Sequence, residues 1–306
     1  MKVFLIGGFG FIGKRFIRQF SNVHEITVYA TQQDIKNADK TLDLTKISIE
    51  EGFVGDEKLS ETVEKHQPDV VIHLAALTGL VKCNKSPEKA FEINVYGTHN
   101  VVKACLRASC KLIFLSSREV YGETINETSS EDDPLLPNNI YGLTKKISED
   151  IINLADKKNN LDFTILRLTN VYGPEGDQYG AVIIIKNVLT NKKIQILGGK
   201  QRLNYVYVDD VVKVINLVLN NEKSSRQVFN VGSKETVSVE EFVNKVKKIV
   251  AKDIMIEKLP MRDTETSNFE PNLEKIQNIL GFLPMSSLED GIKNITKWYE
   301  GMLNEG

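Results

Sequence analysis

The sequence predicts an α/β fold, a doubly wound parallel sheet with a smaller C-terminal lobe. Two observations predict it. Apolar runs of strand length alternate with segments of helical period as far as Pro174, and most of these runs are continuous rather than alternating. A strand that is apolar at every position is covered on both faces, as in a parallel sheet flanked by helices. In addition, the first such run meets a glycine-rich turn that opens the first helical segment, the local grammar of a ligand-binding α/β sheet.

The elements follow in order. Residues 2–6 (KVFLI) read as a short buried strand, being β-branched and aromatic with a glycine stop. Residues 11–20 read as a helix and 25–29 (EITVY) as the second strand. Residues 58–66 are helical in pattern, and 69–74 form a strand after Pro68. A long helix is expected over 87–108, then a strand at 111–115, a helix over 141–159 and a strand at 163–167. Beyond Pro174 the rhythm loosens, with Gly and Pro near 173–180, 198–199 and 281–284. Residues 1–174 are therefore expected to form the sheet domain, with segments near 204–232 returning to it. Residues 175–306 supply mainly the smaller, substrate-binding lobe.

Composition bounds the function. At about 150 residues per domain, 306 residues make two domains, or one with an appendage. Hydrophobic residues are 41% and charged residues 26%, which excludes disorder, collagen and coiled coil. With 39 Lys+Arg against 41 Asp+Glu, the net charge is −2. That balance gives no footprint for nucleic acid or for anionic lipid. Cys83, Cys105 and Cys110 are too few for a disulfide framework and contain no CxxC pair. The opening apolar run is too short for a signal peptide or a membrane span, and no later one reaches spanning length. A reducing cytoplasm is expected. His24, His66, His73 and His99 show no metal-ligand spacing.

The glycine turn reads Gly7-Gly8-Phe9-Gly10-Phe11-Ile12-Gly13. Gly8, Gly10 and Gly13 satisfy G-x-G-x-x-G, while Gly7, Gly10 and Gly13 satisfy the G-x-x-G-x-x-G variant. Glycines permit the tight turn and let the backbone approach a pyrophosphate at a helix N-terminus, whose amides and dipole favour an anion. The bland alternative is a plain strand-to-helix turn, but the strand before and the helix after match the dinucleotide context. An acid for the adenine ribose is expected at the end of the second strand. Ala30 and Thr31 stand there instead, Asp34 comes a few residues late, and no Arg follows for a 2′-phosphate. A dinucleotide is expected, with NAD or NADP left open. Asp43-Leu44, after the next extended stretch, is a candidate for the adenine, against the alternative of a solvated loop acid.

The strand at 111–115 runs into Ser116-Ser117-Arg118-Glu119-Val120-Tyr121-Gly122. Ligands of open α/β sheets bind beyond the carboxyl ends of strands, which places Ser117 where chemistry occurs. Tyr141 and Lys145 follow at i and i+4, on one face of a helix. An ammonium beside a phenol favours the phenolate, which suits a general base near neutral pH. Tyr-x-x-x-Lys alone is usually a surface pair. The order of glycine loop, serine and tyrosine gives it weight here.

At this point the chain resembles the extended short-chain dehydrogenase/reductase family, the nucleotide-sugar epimerases and dehydratases, over nearly its whole length. GGFGFIG resembles the cofactor loop, implying that Gly7, Gly10, Phe11, Ile12 and Gly13 hold the cofactor. Asp43-Leu44 resembles the adenine contact, and His73-Leu74-Ala75-Ala76 the strand passing the cofactor ribose. Asn94 resembles the asparagine that supports the central helix and is counted with the cofactor set, as is Leu168 of LRLTNVYGP. NYVYVDDVV, FNVG and LGFLP…SLEDGI resemble blocks of the substrate lobe. The resemblance implies a Rossmann-type fold and oxidation at C4 of a nucleotide-diphosphate sugar. Tyr141 is then the acid/base, Lys145 lowers its pKa and holds the nicotinamide ribose, and Ser117 binds the 4-hydroxyl. Asn170, Arg202 and Arg262 contact the diphosphate, since Arg suits that geometry. A surface salt bridge is the alternative for each arginine, and Arg202 stands one place early in its block.

The reaction after C4 oxidation turns on residues 118–119. By resemblance, dehydratases carry Asp-Glu there, uronic-acid decarboxylases Ser-Glu, and epimerases small or neutral residues. Arg118-Glu119 departs from all three. Glu119 as a catalytic group favours elimination or decarboxylation. Arg118 argues against the usual dehydratase, because guanidinium stays protonated, and it could instead pair with Glu119 or with an acidic sugar. The expectation is a 4-epimerase using NAD, with NADP not excluded and dehydratase or decarboxylase as alternatives. A reductase consuming NADPH and a non-catalytic cofactor-binding protein are readings of another class. Helices 87–108 and 141–159 resemble the pair through which the family forms homodimers, with apolar Ile147, Ile151 and Leu154 on the second.

Overall fold

The computed structural model describes residues 1–304 except 125, 127, 177–179 and 263–265. Its strands are β1 Lys2–Ile6, β2 Glu25–Ala30, β3 Ile47–Glu51, β4 Val70–His73, β5 Lys111–Ser117 and β6 Phe163–Leu168, then β7 Asn170–Tyr172, β8 Ile194–Leu197, β9 Arg202–Tyr207, β10 Gln227–Val231, β11 Thr236–Ser238 and β12 Ile256–Leu259. Its helices are α1 Phe11–Phe20, α2 Gln32–Lys36, α3 Leu59–His66, α4 Leu80–Lys85, α5 Pro87–Ala90 and α6 Gly97–Ala108, then α7 Ile140–Asn159, α8 Gly180–Leu189, α9 Val208–Leu219, α10 Val239–Val250, α11 Glu274–Leu280 and α12 Leu288–Asn304. Among the described residues no helix is long and apolar enough to cross a membrane.

Seven strands form one parallel sheet in the order β10-β6-β5-β4-β1-β2-β3. The order reverses between β1 and β4, and a crevice opens beyond the carboxyl ends of strands at such a point. Period-two alternation splits the side chains of β1 between two layers. Val3 and Leu5 pack with Phe16 and Ile17 of α1 and with Val211 and Ile215 of α9. Phe4 and Ile6 pack on the other face with Val63 of α3, Val101 of α6 and Ile152 of α7. Each fully buried side chain of this size stabilises the fold by about 1.5–3 kcal/mol.

The segment at 204–232 does return to the sheet: β10 pairs in parallel with β6, Val231 opposite Leu168. A third core, with Tyr172, Val182, Ile185, Phe242 and Ile292, lies under β7-β9-β11 and the pair β8-β12. The expected helix over 87–108 is not continuous. A π-helical stretch, Phe91–Tyr96, separates α5 from α6. Within it the carbonyl of Asn94 accepts from Thr98 Oγ1 at 2.6 Å and Ser148 Oγ at 2.8 Å. Side-chain donors thus compete with the regular helical ladder there.

Candidate active site

The glycine turn forms a closely packed cradle at the β1–α1 junction. Gly7 has φ +80, and a Cβ there would lie 2.8 Å from the nitrogen of Ala75. A Cβ on Gly13 would lie 2.6 Å from Gly8 Cα. Both positions therefore demand glycine, the first for its backbone and both for space. Leu74 and Ala75 donate to Ile6 O at 2.9 and 3.1 Å, which carries Leu74, Ala75 and Ala76 alongside the cradle at the switch point. Gly10 precedes α1 and gives it no side-chain cap. The first turn, with Phe11, Ile12 and Gly13, follows directly, and since a helix N-terminus suits an anion the cradle fits a pyrophosphate.

Asp34 stands nearer the end of β2 than linear counting suggests, in the first turn of α2. Thr31 caps α2 and accepts from Asp34 N at 3.2 Å, while its hydroxyl donates to Asp34 Oδ2 at 2.6 Å. The first turn of α2 folds this carboxylate back onto the end of β2, closing the gap that linear counting leaves.

Asp43 and Leu44 are placed differently from expectation. The extended stretch β3 follows them rather than precedes them. Ile47 lies opposite Ile26 in parallel register. Both residues therefore sit at the amino edge of the sheet, away from the glycine cradle at its carboxyl edge. Asp43 caps its own turn through Thr45 N at 3.2 Å and pairs with Lys46 at 3.3 Å. Its carboxyl is held low by the Thr45 hydroxyl and by Lys46. The carboxyl end of β3 leads instead to Gly52–Asp56, where Phe53 N donates to Asp56 Oδ2 at 3.1 Å.

Asn94 is buried and its amide is committed within the protein. Oδ1 accepts from Leu77 N at 2.8 Å, and Nδ2 donates to Leu77 O at 3.1 Å and Thr144 Oγ1 at 2.9 Å. It fastens the loop after β4 to α7, as a positioning residue. His73, fully buried beside Lys145, is held far below its usual pKa, at about 3, chiefly by desolvation.

Ser117 ends β5, opposite Leu168 at the end of β6. Its Oγ accepts from Glu119 N at 3.2 Å. Tyr141 and Lys145 lie in the first two turns of α7, Tyr141 half-buried and Lys145 buried. Lys145 Nζ donates to Leu115 O at 2.7 Å and sits 4.6 Å from the Phe114 ring centroid. Burial pushes its pKa down to about 8, partly opposed by Glu149. Glu149 accepts from Ser116 Oγ at 2.5 Å and is paired with Arg167 at 2.7 Å. The strand end and the helix carrying the Tyr-Lys pair are thus joined by a buried polar network.

Arg118 and Glu119 form a buried ion pair, Nη2 to Oε1 at 2.8 Å, each side chain 9% exposed. Asn139 Nδ2 donates to the other oxygen, Oε2, at 2.9 Å. Asn139 is also the N-cap of α7, its Oδ1 accepting from Gly142 N at 2.8 Å. Arg118 lies 5.6 Å from the Phe269 ring centroid, and among the described residues its buried Nη1 has no hydrogen-bond partner. Neither Asn139 nor Phe269 was singled out from the sequence. The Asn139 signal was its place just ahead of an apolar helical run, as caps stand.

The diphosphate candidates are spread along the second lobe. Asn170 begins β7, and its Nδ2 donates to Asn204 O at 2.9 Å. Arg202 begins β9, donates to Thr236 O at 2.7 Å and lies 3.6 Å from Glu241. The surface ion pair weighed for Arg202 is therefore present. Arg262 is exposed and follows β12.

Residues 3–232 match the NAD dependent epimerase/dehydratase family. The chain is 30% identical to a putative UDP-glucose 4-epimerase of Methanocaldococcus jannaschii, over 97% of each chain. It is 28% identical to the UDP-N-acetyl-alpha-D-glucosaminuronate decarboxylase of Bacillus cytotoxicus, over 98% of each. Among solved structures, the UDP-glucose 4-epimerase of Thermotoga maritima with UDP-glucose superposes with a TM-score of 0.90 at 26% identity, covering 99% of this chain and 100% of that one.

Proposed function

Because the chain belongs to the NAD dependent epimerase/dehydratase family, we propose that it is a nucleotide-sugar 4-epimerase that oxidises C4 of the sugar and reduces it again from the other face. The observation that carries this reading is Lys145, a buried ammonium fixed to the end of β5 on the same helical face as Tyr141. NAD supplies the hydride acceptor, and later donor, when it lies in the glycine cradle. The Asp34 carboxylate at the end of β2 suits a ribose hydroxyl better than a 2′-phosphate. Two of the relatives named above are epimerases, one of them putative.

The protein groups divide the work. Ser117 places its hydroxyl at the strand end to hold the sugar 4-oxygen. Tyr141 takes the proton from that hydroxyl as C4 is oxidised and returns it when C4 is reduced. Lys145 keeps positive charge beside the phenol, which favours the phenolate. Asn170, Arg202 and Arg262 are the polar groups of the lobe assigned to the diphosphate.

The chain acts as a homodimer in this reading. A groove of about 430 Å³ is lined by Phe91, Val95, Tyr96, His99 and Ile151. Leu154, 52% exposed, lies beyond it on α7. Light scattering on Leu154→Arg tests this: a monomer is expected, and an unchanged mass contradicts it. The activity is tested by mixing NAD-loaded protein with nucleotide sugars and following nicotinamide reduction. Transient reduction is expected, and none with any sugar of the panel contradicts the reading.

A further inference from the structure

The sequence offers Glu119 as a base, yet the structure commits both of its oxygens. Arg118 Nη2 holds Oε1 at 2.8 Å and Asn139 Nδ2 holds Oε2 at 2.9 Å. The pair is almost fully removed from solvent, where a charge is given up only at considerable cost. The carboxylate also sits two residues past Ser117, at the strand end where the sugar is oxidised.

General carbonyl chemistry makes this position consequential. Once C4 is a ketone, the C5 hydrogen becomes acidic, because the electron pair of a broken C5–H bond is delocalised onto the C4 oxygen. A carboxylate free to take that proton forms the enolate. The enolate is then reprotonated from solvent or loses hydroxide from C6, which leaves as water after protonation. An epimerase must avoid both outcomes.

We propose that Arg118 selects the reaction: by pairing with Glu119 it holds that carboxylate as a strut beneath the first turn of α7 and withholds it from the C5–H of the keto sugar. The strut is continuous. Glu119 binds Asn139, Asn139 caps α7 at Gly142, and a Cβ on Gly142 would lie 2.9 Å from Glu119 C. The same two residues that silence a base therefore set the seat of the helix carrying Tyr141. The proposal rests on C4 oxidation as the first step.

The test is turnover of a nucleotide sugar in deuterium oxide, with proton NMR reading deuterium at C5 of the C4-inverted product. Wild-type product is expected to keep hydrogen at C5. In Arg118→Met the guanidinium no longer holds Oε1 of Glu119, and C5 deuterium is expected to rise at least about tenfold, within the range of general-base effects. The double variant Arg118→Met/Glu119→Gln is expected to fall back to the wild-type level. If Arg118→Met does not fold, Asn139→Ser takes its place. It keeps a cap for α7 while releasing Oε2, and a smaller rise is expected. Deuterium at C5 in wild-type product overturns the proposal, and so does C4 inversion in the folded variant without C5 exchange. Absence of any C4-inverted product from the wild type overturns the epimerase reading itself, a result distinct from either.

Discussion

Lys145 Nζ donates to the main-chain oxygen of Leu115 at 2.7 Å, pinning α7 to the carboxyl end of β5. One side chain thus fixes the helix on the sheet and places a positive charge one turn from Tyr141. The ammonium is buried, and its pKa is pushed down to about 8 from 10.5.

This gives a pH dependence of known sign. In the proposed mechanism the charged form assists Tyr141, so activity is expected to fall as pH rises through about 8. Stability moves the other way. Between about 8 and 10.5 the unfolded chain keeps the lysine proton and the folded chain has lost it, so stability rises with pH across that window. Thermal melts of wild type and Lys145→Met at several pH values check it. The alkaline gain should be present in the wild type and absent from the variant.

Tyr141→Phe removes the proposed proton acceptor and leaves the glycine cradle untouched. Turnover is expected to drop by a factor of about a hundred or more, as for loss of a general base. NAD affinity, read by calorimetry, should stay within a few-fold. Turnover close to wild type would remove Tyr141 from its role.

Asp34→Ser removes the carboxylate that α2 folds onto the end of β2. A hydrogen bond to a charged group is worth about 1.5–3 kcal/mol, so the Kd for NAD is expected to rise roughly tenfold to a hundredfold. Titration of NAD into the purified variant reads this directly. An unchanged Kd places the ribose elsewhere.

Glu149 and Arg167 are 1% and 5% exposed and bonded by both carboxylate oxygens. Glu149→Gln leaves the guanidinium buried without its counter-charge, with an expected loss of about 3–5 kcal/mol. Urea unfolding checks the value. A loss under about 1 kcal/mol would mean that Tyr121 and the Glu131 carbonyl, which also accept from Arg167, suffice to hold it.

Much of this was legible in the chain, for identifiable reasons. β1, β2, β4, β5 and β6 are largely apolar runs, and α1 and α7 carry unbroken helical patterns, so their positions and the glycine turn could be read directly; β3, ISIEE, alternates and is half-exposed, and no strand was read there. What escaped depends on groups distant in sequence. At the π-helical stretch Asn94 O accepts from Ser148, which belongs to another helix. Asp43 reads as an adenine contact only while the place of β3 is unknown. Asp34 looks too late until a helical turn brings it back to Thr31. The Arg118–Glu119 pair was among the sequence readings and is present, but the second hold on Glu119 could not be seen, because Asn139 stands 20 residues away and meets it only in the fold.

The most direct test is the product formed from a panel of nucleotide sugars by the NAD-loaded protein, read by mass and proton NMR together. A product of unchanged mass with inverted C4 is expected. A product lighter by water or by carbon dioxide would make Glu119 a working catalytic group and would contradict the epimerase assignment.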